Sequence, residues 1–159
     1  RIVDSHDRFE VGALEIQPYP VPHDAREPIQ FVFSDGKWRL GLLTDAGEIT
    51  RHIREVLSGI DALILECNHD ADLLAASNYP ASLQRRIAGR LGHLENSAAA
   101  GLLREIDCSR LQHLVAAHLS ESNNRPALAR QVLAVALGYA DDQVGLACQS
   151  EGFFWRQIS

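Results

Sequence analysis

Methionine is missing from the sequence altogether, and the first residue is Arg1. Translation begins with methionine, so the expectation is a processed chain or a piece of a longer one. Cysteine is scarce. The three present, Cys67, Cys108 and Cys148, are widely spaced and form no CxxC. This argues against a disulfide framework and makes a reducing cytoplasm the default setting. No apolar run approaches the roughly 20 residues of a membrane-spanning helix, and the first residues carry no signal-peptide pattern, so no membrane partner is expected. Excess positive charge is absent too, with 15 Lys and Arg against 21 Asp and Glu. A net charge of -6 argues against nonspecific affinity for nucleic acid over the whole surface. It leaves room for a local basic patch or for acids neutralised by metal. Internal repeats, low-complexity segments and linkers are also lacking.

What remains is an ordinary globular composition, 46% hydrophobic and 23% charged over 159 residues, enough for one domain with a core. Phe9 to Ile16 alternates as a half-buried strand. Pro18, Pro20 and Pro22 impose an extended path leading to His23. Ile29–Phe33 and Trp38–Leu43 flank Ser34-Asp35-Gly36-Lys37, and the Asp-Gly turn predicts a hairpin. Glu48 to Leu57 reads as a helix with Ile49, Ile53, Val56 and Leu57 on one face. Asp61 to Glu66 is apolar, as parallel strands are. Asp70 to Ala76 is a short helix with Asp70 as N-cap. Helices over Ala81 to Leu91 and Glu95 to Ile106 follow, then a strand over Leu111 to Ala117. Pro126 to Leu137 is a helix with Pro126 in its first turn. Val144 to Cys148 and Phe153 to Gln157 read as two short closing strands. Strands, a hairpin, then alternating strand and helix define an α/β domain with a mixed sheet, covered on one face by the helical stretch between Asp70 and Arg110.

The apolar runs end in chemistry. Leu40-Gly41-Leu42-Leu43 stops at Thr44-Asp45, Pro20-Val21-Pro22 at His23-Asp24, Ala62-Leu63-Ile64-Leu65 at Glu66, and Leu114-Val115-Ala116-Ala117 at His118. Carboxyl ends of strands form the rim of a sheet, where sites are built. Imidazole and carboxylate at His23, Asp45 and His118 suit zinc, manganese or iron and leave positions open for water. Each alone has an ordinary reading, a structural histidine or a turn-forming Asp; their coincidence suggests one metal site. Glu66-Cys67-Asn68-His69-Asp70 is either a second polar wall of the pocket or a helix cap with neighbours. Cys67 fits a small buried residue better than a nucleophile. Gly92-His93-Leu94-Glu95-Asn96 places a histidine before a helix start, which suits an anion or a capping turn made by Asn96 or Ser97. The loop from His118 to Asn124 is similar. Arg85, Arg86 and Arg90 form either a solvated face or a phosphate-contacting patch. His6, His52 and His113 read as ordinary surface or core residues.

These segments occur in one order: Val21-Pro22-His23-Asp24-Ala25, Leu43-Thr44-Asp45-Ala46-Gly47, Glu66-Cys67-Asn68-His69-Asp70, Gly92-His93-Leu94-Glu95-Asn96, and Ala117-His118-Leu119-Ser120 with Asn123-Asn124. Together they resemble the metallo-β-lactamase-fold hydrolases, specifically the small bacterial WalJ/YycJ-type branch, related to exonucleases and tRNA 3′-processing enzymes. The resemblance covers nearly all of the chain. It implies a four-layered αββα sandwich, of which this chain supplies mainly the C-terminal half. It implies that His23 is a ligand of one metal, Asp45 bridges two, and His118 is a ligand of the second. Glu66 and His93 resemble the pair that assists proton transfer to the leaving group. Asn68, His69, Asp70, Ser120 and Asn123 are implied to line the pocket.

One departure is plain. The HxHxDH motif of that family, which supplies the remaining ligands, is matched nowhere; His6-Asp7 comes nearest, with the wrong spacing. The expectation is therefore a single, incomplete domain over residues 1–159. The resemblance implies two divalent ions, zinc or manganese, in the intact parent, with weak or absent metal binding and no turnover in this chain alone. It implies two-metal hydrolysis of a phosphodiester, possible substrates including single-stranded nucleic acid, by a hydroxide held between the metals. An exposed sheet face is expected to draw a second copy of the chain or to rearrange locally. Two other readings stay open: a hydrolase of small esters, thioesters, lactams or cyclic phosphodiesters on the same fold, and a non-catalytic α/β interaction module.

Overall fold

Seven strands form one mixed sheet in chain order, β1-β2-β3-β4-β5-β6-β7, in the computed structural model, which describes residues 3–159. The strands are β1 (Phe9–Val11), β2 (Leu14–Pro20), β3 (Ile29–Ser34), β4 (Arg39–Leu43), β5 (Ala62–Glu66), β6 (His113–Ala117) and β7 (Val144–Leu146). The first four run antiparallel; β4 to β7 run parallel. The helices are α1 (Arg51–Leu57), α2 (Ala71–Ala75), α3 (Ala81–Ile87), α4 (Asn96–Glu105) and α5 (Pro126–Leu137).

The stretch expected as one strand from Phe9 to Ile16 is a hairpin. Gly12 sits at φ 60° and turns the chain between β1 and β2. β1 pairs only Leu14 to Ile16 of β2, so residues 17–20 have an open outer edge. Pro18 and Pro20 are tolerated there because a missing donor on an open edge breaks no ladder. The Asp-Gly hairpin forms as expected: Asp35 Oδ1 accepts from the Lys37 and Trp38 amides at 2.9 and 2.7 Å, and Gly36 takes φ 90°.

Helix ends are set by their caps. α1 starts at Arg51 rather than Glu48, because the Thr50 hydroxyl accepts from the Ile53 amide. Asp70 caps α2 as expected, with Oδ1 accepting from the Leu73 amide. α3 stops at Ile87, short of Leu91, before the glycine turn 89–92. No side chain caps α4, so the expected capping role of Asn96 or Ser97 is not seen. α5 ends in a left-handed Gly138. The expected last strand over Phe153 to Gln157 is absent. That backbone is held by side chains instead, with Gln157 O bonded to His113 Nε2 and the Ser159 amide donating to Gln112.

The core lies between one face of the sheet and α1, α4 and α5, with Ile53, Leu57, Leu63, Leu65, Leu102, Leu114 and Leu133 fully buried. On the opposite face Leu40, Ala62, Ile64 and Val115 meet Phe153, Arg156 and Ile158 of the C-terminal segment, which leaves a cleft of about 320 Å³. Phe154 and Trp155 in that segment are almost fully exposed. No helix among the described residues is long and apolar enough to cross a membrane.

Candidate metal centre

Parallel pairing puts the strand ends side by side. Leu43 is in register with Leu65, and Glu66 with Ala117, so the residues that follow β4, close β5 and follow β6 share one rim. β2 runs in the same direction as β4, two antiparallel steps away, and delivers His23 to that rim. The turn between α3 and α4 adds His93. Asp45 and His118 stand at φ 55° and 56°, the two described non-glycine residues with positive φ. That backbone costs about 1–2 kcal/mol per residue. Such strain collects where a site dictates where a side chain must point.

Glu66 is the hub. Its side chain is fully buried, and its oxygens accept four bonds. Oε1 takes Nδ1–H of His93 at 2.9 Å and of His118 at 2.7 Å. Oε2 takes the amides of Ala46 at 3.0 Å and Leu94 at 3.3 Å. Burial works to raise its pKa, but the bonds from His118, His93 and Ala46 outweigh it, and the carboxyl lies below its ordinary value. The same hydrogen bond raises His118, against burial. An ionised carboxylate only accepts, so both imidazoles carry their proton on Nδ1 when neutral, which leaves Nε2 as the free lone pair. Carboxylates behind histidines hold metal ligands in this way.

His23 is posed similarly. Its Nδ1–H donates to the Gly92 carbonyl at 2.9 Å, and Nε2 faces Asp24 Oδ1 at 3.6 Å and Asp45 Oδ1 at 3.7 Å. Asp45 Oδ1 also lies 3.7 Å from His93 Nδ1 and 3.8 Å from His118 Nδ1. A lone pair facing carboxylate oxygens at these separations lacks a direct bond and invites a cation between them. Donor atoms bound at about 2.1 Å to one zinc sit roughly 3.3–3.7 Å apart, so the spacing of His23 Nε2 and Asp45 Oδ1 fits a divalent ion, whereas the Nδ1 atoms of His93 and His118 are spent on Glu66. Asp45, Glu66, His93 and His118 together satisfy the proximity expected of a metal-holding group. Glu66 belongs to that group by distance, but both its oxygens are engaged in hydrogen bonds. The residues present thus fit a metal.

The loops are braced. The Gly47 amide donates to Pro22 O and the Asp24 amide to Leu91 O. Arg86 pairs with Asp24 at 2.6 Å and Arg90 with Glu48 at 2.7 and 2.8 Å, so these two arginines clamp the His23 and Asp45 loops to α3 and to the turn that follows it. Arg85 has no ion pair among the described residues. A Cβ on Gly47 would meet Arg90 O at 2.4 Å. Gly47→Ala is therefore expected to destabilise the fold by about 1–3 kcal/mol, as urea unfolding would show, because backbone must shift to admit it.

The other sequence candidates surround this centre. Asn68 Nδ2 donates to His118 O, and its carbonyl accepts from the Ser120 amide. The Ser120 hydroxyl accepts from the Asn123 amide and lines an open cleft of about 820 Å³ that also reaches His118. Asn123 and His69 are buried, with Oδ1 and Nδ1 unpartnered. Cys67 is buried in the core, and burial pushes its thiol up, away from nucleophilic use. Sequence reasoning missed Asp24 beside His23. It also missed a buried pair, Asn96 and Asn124, whose amides bond reciprocally at 3.0 and 2.9 Å while Asn124 reaches Cys67 O. The adjacent asparagines 123 and 124 were the available signal.

Fold and centre together define a metallohydrolase-type scaffold. Residues 1–118 match the β-lactamase superfamily domain, and the chain belongs to that family. It is 35% identical over 126 residues to exodeoxyribonuclease YycJ of Bacillus anthracis, covering 79% of this chain and 48% of that protein. It is 31% identical over 135 residues to exodeoxyribonuclease WalJ of Streptococcus pneumoniae, covering 85% and 50%. The chain thus spans about half the length of the curated relatives it matches. Among solved structures, the metallo-β-lactamase-fold protein YhfI of Bacillus subtilis superposes with a TM-score of 0.70 at 16% identity, over 96% of this chain and 54% of that one.

Proposed function

We propose that this chain carries half of the centre of a metal-dependent phosphodiesterase acting on nucleic acid, such as single-stranded DNA. The observation that carries the reading is His23 Nε2 3.7 Å from Asp45 Oδ1, beside the rings of His93 and His118, whose Nε2 atoms the Glu66 bonds leave free, with Asp45 and His118 held in left-handed backbone. His23, Asp45 and His118 would hold divalent metal, zinc or manganese, with Asp45 shared between two positions. Bound metal would supply Lewis-acid neutralisation of charge on the phosphoryl oxygens. The likeness to two exodeoxyribonucleases supports nucleic acid over small esters.

His93 is the acid in this reading. Protonated, it keeps Nδ1–H on Glu66 and offers Nε2–H to the departing sugar oxygen; the bond from phosphorus to the incoming water oxygen forms as that to the sugar oxygen breaks. Glu66 then stabilises the imidazolium and orients the ring. Three protein donors shared over two metal positions leave each under-coordinated, so turnover is assigned to a polypeptide that adds further ligands to this half-site. Three unpaired thiols fit a reducing compartment.

Titration of the metal-stripped chain with zinc and manganese, followed by elemental analysis, is expected to show weak, substoichiometric binding that raises the melting temperature. Two tightly held ions per chain would overturn the half-site reading. No thermal response to either metal would favour a non-catalytic module. A polypeptide of the relatives' full length that contains this chain should release nucleotides from single-stranded DNA with added metal. Hydrolysis of small esters in place of DNA would overturn the phosphodiester assignment.

A further inference from the structure

A cleft of about 350 Å³ opens between α2, α3 and α4, and His93 and Gly47 line it, so it shares a wall with the metal centre. His69 also lines it and is 2% exposed, with Nδ1 buried and no hydrogen bond to either ring nitrogen among the described residues. Buried polar atoms are as a rule hydrogen-bonded, and Nδ1 of this imidazole finds no partner within the folded chain. Arg85, the one arginine of α3 not engaged as a clamp, reaches the same cleft, as does Glu95, whose Oε1 takes the Ser97 hydroxyl at 2.7 Å. The remaining walls are mostly alanines and Leu74.

We propose that this cleft is a nucleobase subsite, receiving the base of a nucleotide that flanks the phosphodiester at the metal centre. The inference rests on the nucleic-acid reading above and adds a residue-level determinant to it. A phosphate is a poor occupant, because Glu95 would repel it. A flat heterocycle fits the mixture of groups. Its edge offers donors and acceptors together, the small aliphatic walls take its faces, and a guanidinium such as that of Arg85 stacks on a base plane. The volume lies within the roughly 300–1,000 Å³ of small-molecule sites. A carboxylate is answered best by guanine, whose ring N–H and amino group donate side by side, so Glu95 sets the preference and His69 pairs with the base's remaining edge.

The test is an NMR titration of the chain in EDTA with 2′-deoxyguanosine, thymidine and deoxyribose 5-phosphate. Deoxyguanosine is expected to shift the His69 ring and Arg85 side-chain signals saturably, thymidine to bind several-fold more weakly, and the base-free sugar phosphate to leave both unmoved. Arg85→Ala and Glu95→Gln are each expected to weaken deoxyguanosine binding about tenfold. Both side chains are exposed enough for the variants to fold, whereas His69→Ala opens a buried hole. Equal shifts from the sugar phosphate would overturn the base pocket in favour of an anion site. Absence of nucleoside shifts, or variants that bind as before, would also overturn it. The zinc response separates this proposal from the one it rests on. A chain that answers zinc but not deoxyguanosine loses the subsite alone, and the converse keeps the base pocket while removing the metal centre.

Discussion

Glu66→Gln is expected to lower stability by about 2–4 kcal/mol, the range for disrupting a buried, hydrogen-bonded charge. The amide cannot satisfy its surroundings while both imidazoles keep their proton on Nδ1. Glu66 accepts from two imidazoles on one oxygen and two backbone amides on the other. An NH₂ group facing the two backbone amides sets donor against donor, and one facing the imidazoles is accepted only if both rings move their proton to Nε2, which removes the lone pairs that a metal needs. Metal affinity should fall about 10–100-fold, because the imidazoles lose the group that orients them. The loss should depend on pH. Glu66 lies below its ordinary value in the folded chain, so its contribution is present above the unfolded carboxyl pKa of about 4.3 and is lost as pH falls through the lowered folded value. His118 is raised, so its contribution is present below the unfolded imidazole pKa of about 6.5 and is lost as pH rises through the raised value. The parent should therefore be most stable between those limits, and the variant's profile should be flatter on both sides. Urea unfolding at a series of pH values checks this; a variant with the parent's midpoint and pH profile would refute the hub role.

Asp45→Gly should separate stability from binding. Asp45 sits at φ 55°, where glycine carries no penalty, so the metal-free variant is expected to be more stable by about 1 kcal/mol. The same variant should show no rise in melting temperature with zinc, whereas the parent gains about 2.7 kcal/mol at a metal concentration 100 times its dissociation constant. Asp45→Asn keeps a residue that tolerates the left-handed region and tests the charge alone. Scanning calorimetry with and without zinc reads both effects. A zinc response that survives in both variants would remove Asp45 from the centre.

Much of this was legible from local pattern. The Asp35-Gly36 hairpin, the Asp70 cap, the Pro126 helix start and the parallel strand at β5 all rest on short-range chemistry that the chain writes out in order. The strand ends at Asp45, Glu66 and His118 were legible because an apolar run that stops at an ionisable residue marks where a strand leaves the core for the rim. What was hidden lies in contacts across long stretches of chain. No pattern shows that the Gly92 carbonyl fixes His23, or that Arg86 and Arg90 serve Asp24 and Glu48 rather than a phosphate. The missed β1–β2 hairpin turned on one residue, since alternation continued across Gly12 and hid the reversal. The last expected strand, Phe153 to Gln157, has strand-like residues, but its backbone bonds go to the His113 and Gln112 side chains, which no propensity encodes.

The four bonds on Glu66 reach three different loops: the one after β4 through Ala46, the one before α4 through His93 and Leu94, and the one after β6 through His118. These segments are far apart in sequence and would otherwise move separately. Tied to one buried carboxylate, they behave as a single body, so the conformational entropy of bringing the donors together is already lost on folding rather than at the moment of capture. Metal binding should then proceed with little further ordering of the chain, and its affinity should be governed by how many donors are present rather than by how hard they are to assemble.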